Sequence, residues 1–461
     1  MPSSTVERDG LLHRAPVVVL VALAYVGVLH YVYENDIAPY FTYLQYAYRS
    51  PDPLAYTFAI CLVVTLALVM PRRITLPSHF IVWVLFVVAV VPAIVIPQIA
   101  PALSKSGSVE LAIWVAVSYL PVALFGTRRV LRGFVPRHPL RGSTFWLLLV
   151  VLYAVLNGYV LATIGVRLTL PSLEDVYGVR GELAGEEQVF GPLLYVVPLL
   201  ANVVNPVVMV RGLWTRQWVW FAAGVLGQLF VFSISGNKTA VLSPIALFGA
   251  FLLFRSRRPP AGTACLLAAP VVSVAMVALD RLAGSVNGDW VSLIVRRFLV
   301  TPGLLTAGYV QVFDDIEKAK LAHSIFSSFL DYPYAEEPPP LVGGAFFGNP
   351  ETHANANLLA DGYANFGYLG MVAACLVFVC LLWTIDDAAE GLPLGFVCLA
   401  FMMPALALAD SGILTTMLTH GFLATVLLCA LAPRTGWPGR DSPEPRADVA
   451  VPAGVRESAP P

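Results

Sequence analysis

Asn357, Asp361 and Asn365 stand at i, i+4 and i+8 in the stretch GGAFFGNPETHANANLLADGYANFGYLG, residues 343–370. On a helix that starts near Ala354, this spacing puts one carboxylate and two amides on a single face over about two turns. Such a set can take a proton from a hydroxyl and bind sugar hydroxyls. A carboxylate is costly in lipid, so the face must meet water, protein or a ligand. Glu351 and His353 stand just upstream, within reach of the same pocket, and each is a further candidate base. A single loop histidine is ordinarily only solvated. The cluster as a whole, rather than any one member, points to chemistry.

Three other groups of residues could act with it. Arg296 and Arg297 interrupt the apolar patch LIVRRFLVTPGLLTAGYVQVF, residues 293–313. Two guanidiniums at headgroup depth can hold a diphosphate by paired hydrogen bonds; the plainer alternative is a pair of snorkelling anchors. Lys238 follows Asn237 in the turn SGNKTAVLSP. A fixed cation beside the N–H groups of a helix start makes a phosphate seat, although a short turn with one interfacial lysine would read the same way, and no Walker spacing is present. Glu34 and Asp36, in YENDIAPYF, could supply a base or hold a divalent ion, or could simply be solvated. The six cysteines all fall inside apolar runs, with no metal-type spacing and none placed for a disulfide outside the cytoplasm.

The elements that must position these residues are membrane helices. The chain is 58% hydrophobic and 12% charged, against roughly 25% charged residues in an ordinary soluble domain. Apolar runs able to span fall near 15–33, 54–70, 79–99, 109–126, 143–165, 190–210, 217–234, 239–254, 262–280, 366–384, 392–409 and 413–432. This predicts an all-α polytopic membrane protein of about twelve transmembrane helices over residues 1–432. Residues 433–461, rich in Pro, Ala, Arg and Glu, are expected to form a disordered cytoplasmic tail. No cleavable signal peptide is evident, and no internal repeat of the transporter kind is visible.

Positive charge sets the expected orientation. With the N terminus inside, the inside segments hold 18 of the 28 Lys and Arg residues, among them Arg72, Arg73, Arg128, Arg129, Arg132, Arg211, Arg255 and Arg434. Both termini are then cytoplasmic, and one long loop, 281–365, is extracytoplasmic. The Arg296–Arg297 pair argues against a simple crossing within that loop and for an interfacial or re-entrant segment. The acidic loop near 166–189 falls on the same side.

The order of these features resembles the bacterial oligosaccharide repeat-unit polymerases, the O-antigen polymerase-like membrane proteins. The resemblance runs through the SGNKTA turn, RRFLVTPGLLTAGYVQVF, a Pro-rich stretch and FFGNPETHANANLLADGYANFGYLGM. It covers roughly residues 230–385 and is strongest over Asn355–Met371. It implies a C-type glycosyltransferase-like fold in the bacterial cytoplasmic membrane, acting on its outer side. It implies polyprenyl-diphosphate-linked oligosaccharides as donor and acceptor, with flippase or chain-length-regulator proteins as partners. Arg296 and Arg297 match the family's basic site before the Pro-Gly. Asn357, Asp361 and Asn365 match its polar motif before a helix. Relatives of this class often work without a metal, so no cofactor or metal is expected; another branch uses acidic residues of the first outside loop, as Glu34 and Asp36 could be. Ligase-like or single-sugar transfer is the nearest alternative, and a transporter or lipid-carrier flippase is the alternative of another class. No nucleotide-sugar motif is visible, which fits a lipid-linked donor, and no nucleic-acid partner is expected.

Overall fold

A computed structural model describes residues 11–165, 190–256, 258–285, 288–349 and 351–437. The acidic loop 166–189 and the chain beyond 437 lie outside the described residues. Among the described residues the protein is helical throughout, and ten helices are long and apolar enough to cross a membrane.

The helices follow in order. Helix α1 covers Ala15–Leu44, α2 Pro53–Val69, α3 Pro77–Ile99, α4 Lys105–Gly126, α5 Gly142–Ile164 and α6 Leu193–Thr215. Next come α7 Trp218–Ser235, α8 Lys238–Phe254, α9 Gly262–Ala283 and α10 Val291–Asp315. Then follow α11 Pro338–Phe347, α12 Leu358–Ala388, α13 Leu394–Ala400, α14 Met402–Ala407, α15 Ile413–Leu418 and α16 Phe422–Leu431, the last two together forming one spanning stretch, Ile413–Leu431. Helix α3 is apolar on every side and buried along its spanning length, as expected for the central stave of a bundle. A main core unites α1–α4 with α9, α10 and α12. A second, smaller core lies among α5–α8, built on Val160, Leu193, Leu200, Val231 and Ala240.

Nine of the twelve expected spans coincide with spanning helices, those at 54–70 and 239–254 are shorter apolar helices of 17 residues, and three corrections follow. Run 392–409 is not one helix: it breaks at Phe401 into α13 and α14, ahead of Pro404. The stretch 281–365 is largely helical, with α10 and α11 inside it. Its first half is a 25-residue helix of spanning length. The third correction concerns YENDIAPYF, which is not a loop: Tyr33–Ile37 forms a π-turn inside the continuous α1. In addition, Trp437, assigned from the sequence to the tail, is buried against Trp146 and Phe396.

The arginine-bearing segments gather at one end of the bundle. His13 hydrogen-bonds the Arg72 carbonyl, and the Gly262 N–H donates to the same oxygen. His79 meets the Thr127 carbonyl, Asp387 accepts from the Gly133 and Val135 N–H groups, and Glu390 pairs with Arg129 and Arg137. Arg434 donates to the Ala388 carbonyl.

Helix α10 is tied to the opposite end at several points. At its start, Asp280, at the far end of α9 from Arg72, accepts from the Trp290 and Val291 N–H groups. At its middle, Thr301 bonds Tyr46 at 2.7 Å, just beyond α1. At its C-terminal end, Asp314 accepts from Tyr363 at 3.2 Å. The neighbouring Tyr368 stacks on Trp114, in the middle of α4. The start and middle of α10 are held at that end, while its length and hydropathy are those of a spanning helix. Its seat on α3 is close because Gly303 has no side chain: a Cβ there would meet the Pro92 backbone.

Candidate functional site

Helix α12 begins where the sequence placed its polar ladder, but four residues later than expected. Asn357 is the N-cap: its Oδ1 accepts from the Leu359 and Ala360 N–H groups, each at 3.0 Å. Its Nδ2 donates to the Pro302 carbonyl at 2.9 Å and to Thr306 Oγ1 at 2.7 Å. Buried with every polar atom engaged, Asn357 is an anchor between α12 and α10. Asn365 is the second anchor. Its Nδ2 donates to the Asp361 carbonyl and to Asp361 Oδ1, and its Oδ1 accepts from the Leu321 N–H at 2.7 Å. Both amides expected to bind sugar are thus committed to fastening the chain.

Asp361 stands between these anchors on the same face. The carboxylate is held at 3.2 Å by Asn365 and lies against Gly412, where an added Cβ would come within 2.6 Å of Cγ. The Leu358 N–H donates to the Leu408 carbonyl, which brings the 408–412 turn over the start of α12. Asp361 is therefore set where three elements meet: α12, α10 through the Asn357 anchor, and the turn before α15.

Beyond Asn365 the chain reverses. Phe366 and Gly367 leave helical geometry, with Gly367 at φ 65° and ψ −153°. Gly362 and Gly370 meet backbone to backbone, so residues 358–365 fold back on 368–388. The short arm carries Asp361, and the long arm is the span.

The cations take separate seats. Arg296 lies over the Phe41 ring, 4.3 Å from its centroid, with Tyr46 beyond at 5.4 Å. Its Nε donates to Ser292 at 3.0 Å. This leaves its two terminal amino groups without a hydrogen-bond partner among the described residues. Arg297 is half-buried. Both precede Pro302, where Asn357 docks, by less than two turns of α10. Lys238 opens α8 at the same end, and Asn237 caps that helix by accepting from the Thr239 N–H at 3.0 Å. Helix α8 packs on α6, α7 and α13, so Lys238 belongs to the second helix group. Glu351 and His353 are exposed on the link before α12. That link is fixed at Ala354, whose carbonyl accepts from Tyr309 at 2.7 Å.

Glu34 and Asp36 do not converge. Glu34 faces His30, 3.8 Å away, and His30 is itself held by Tyr56 at 2.9 Å and Tyr48 at 3.2 Å. Asp36 lies on the side of Arg281 and Asp280.

Sequence reasoning missed a second polar group at this end. Lys318 lies 4.4 Å from the Tyr363 ring, Asp314 accepts from the Tyr363 hydroxyl, and Glu110 is a charged neighbour of Tyr363 and Tyr368. The Trp114–Tyr368 stack, 5.2 Å between centroids, forms its floor. The only signal was a pair of carboxylates at the margins of apolar runs. Their meeting depends on the reversal at Gly367, which no local pattern announces.

Comparison with family models, curated proteins and solved structures finds no match for this chain.

Proposed function

We propose that this protein is a membrane glycosyltransferase that polymerises polyprenyl-diphosphate-linked oligosaccharide repeat units on the outer side of the bacterial cytoplasmic membrane. The observation that carries the reading is the docking of Asp361's short arm onto α10. It brings a carboxylate and the Arg296–Arg297 pair onto two touching elements, at the end of the bundle away from the arginine segments. By the rule that short positive segments stay inside, that end is extracytoplasmic.

Each group has a task in such a transfer. Arg296 and Arg297 bind the donor's diphosphate, whose departure becomes easier as its charge is held. Asp361 takes the proton of the acceptor hydroxyl as that oxygen bonds to the anomeric carbon and the carbon–phosphate-oxygen bond breaks. Glu351 and His353 flank the approach, and the carbohydrate-facing surface extends over Trp114, Tyr368, Glu110 and Asp314.

The test is transfer by the purified protein in lipid nanodiscs, given a synthetic polyprenyl-diphosphate-linked repeat unit. The wild type should form a ladder of longer lipid-linked products. Asp361→Asn and Arg297→Gln should each reduce it by about a hundredfold or more, the scale of one general base or one charge clamp. Transfer of a single sugar without a ladder would favour the single-transferase alternative, and an unchanged ladder in both variants would remove the assigned site.

A flippase reading has one observation of its own. Asn205 and Gln228 are fully buried between α6 and α7, with Asn205 Oδ1, Asn205 Nδ2 and Gln228 Oε1 unpaired. Movement of a labelled lipid-linked unit between leaflets, lost in Asn205→Leu and kept in Asp361→Asn, would bring that reading ahead.

A further inference from the structure

Between α10 and α11 the chain carries a short run of exposed apolar side chains: Ile325, Phe326, Phe329 and Leu330, with Phe329 84% exposed. Spacing of i, i+1, i+4 and i+5 sets the four on one side of a helical turn, with Ser327 and Ser328 on the other. The turn is closed by its backbone, since the Phe329 and Leu330 N–H groups both donate to the Phe326 carbonyl, at 2.9 and 3.1 Å. Large apolar side chains grouped this closely on an exterior mark a contact surface, unlike the single exposed residues that any protein scatters over itself.

The position of the run decides what it contacts. Its base is fastened to the reversal of α12. The Ala319 N–H donates to the Ala364 carbonyl at 2.8 Å, the Leu321 N–H donates to Asn365 Oδ1 at 2.7 Å, and Lys318 lies against Gly367. That reversal is at bilayer depth. Asp386, at the other end of α12, accepts from the Ser78 N–H and hydroxyl at the end of the bundle where the arginine segments gather. From Tyr368 to Asp386 the helix rises about 27 Å, close to the roughly 30 Å of a hydrocarbon core. Tyr368 also stacks on Trp114, in the middle of the spanning helix α4. A segment that leaves the chain at this depth starts at the boundary between acyl chains and headgroups. It starts, too, beside a flank that already faces lipid: Phe366 is exposed, and Leu369, on the spanning arm, is 72% exposed. Toward the protein the segment is already ordered, with Ala319 and Ala322 buried and the His323 ring beside Tyr332 at 5.7 Å. Little freedom is left to lose on contact.

We infer that the 325–330 turn is seated in the bilayer. Ile325, Phe326, Phe329 and Leu330 enter the acyl–headgroup boundary of the leaflet at that end of the bundle, and Ser327 and Ser328 stay among the headgroups. The inference rests on the depth of the reversal and uses no step of the transfer chemistry, so it stands or falls apart from the glycan reading.

The test is fluorescence of the full-length protein in phosphatidylcholine vesicles, with the native cysteines replaced and one new cysteine carrying an NBD label. Lipids with a nitroxide on the acyl chain should quench the label at Phe329→Cys and at Ile325→Cys about threefold or more over the label at Glu336→Cys, an exposed acidic position of the same link. Aqueous iodide should give the reverse order. Both apolar positions are exposed, so neither substitution disturbs the packed core, and either label alone reports the depth. Labels at both positions that nitroxide lipid quenches no more than the label at Glu336→Cys, and that iodide reaches equally well, would place the turn in water and overturn the inference.

Discussion

Asn357 illustrates how a residue chosen for chemistry can prove to be an anchor. Asn357→Ala removes an N-cap and the amide that grips Pro302 and Thr306, and should cost about 1–2 kcal/mol. A lowered Tm in detergent, with the helical circular-dichroism spectrum kept, is the expected result. Gly412 presses on Asp361, so Gly412→Ala should displace the carboxylate. It should cut transfer severely while the protein still inserts and elutes as a single species. His323 offers a pH test away from the transfer site. Burial holds its imidazole below the ordinary value, and it packs beside Tyr332. The unfolded segment then takes up a proton first. The stability that His323 gives the neutral form is complete above about pH 6.5 and falls as the pH drops through and below that value. Protection factors over 316–337, taken against the intrinsic exchange rate at each pH, should therefore fall between pH 7 and pH 5 in the wild type, and much less in His323→Gln.

Gly367 is the hinge on which the candidate site depends. Its φ and ψ lie in a region open essentially to glycine alone, so Gly367→Ala should cost about 1–3 kcal/mol. It should also part Tyr368 from Trp114, seen as a change in tryptophan fluorescence. The spans were legible because an apolar run of about twenty residues has few alternatives in lipid. The π-turns at 33–37, 86–90, 122–126, 200–204 and 291–300 were not, since a widened turn leaves hydropathy unchanged. Arg296 and Arg297 argued for an interfacial segment, two charges that a crossing helix buries at a high cost, yet α10 has the length and hydropathy of a spanning helix. The roles of Asn357 and Asn365 were half readable. An Asn just before an apolar run is a common N-cap, but its second partner, Thr306, is 51 residues away. The Glu110–Asp314–Tyr363 group, drawn from three separate helices, had no local signature at all.

The bundle as a whole has two unlike ends. One is tied together by carboxylates that accept backbone N–H groups and arginines, as at Asp387 and Glu390. The other carries α10, the short arm of α12 and the exposed Glu351 and His353. A membrane-impermeant thiol reagent should label His353→Cys from outside intact cells and Arg132→Cys only after the membrane is opened, in a background where the native cysteines are replaced. Labelling of both from the same side would break the topology. The most direct test of the proposed polymerase is the length profile of the cell-surface glycan in a strain deleted for this protein. That strain would be complemented with wild type or with Asp361→Ala at equal membrane abundance. Long chains with the wild type, and single lipid-linked units accumulating with Asp361→Ala, are the predicted result. Chain lengths that are the same in the deletion, the variant and the wild type would contradict it.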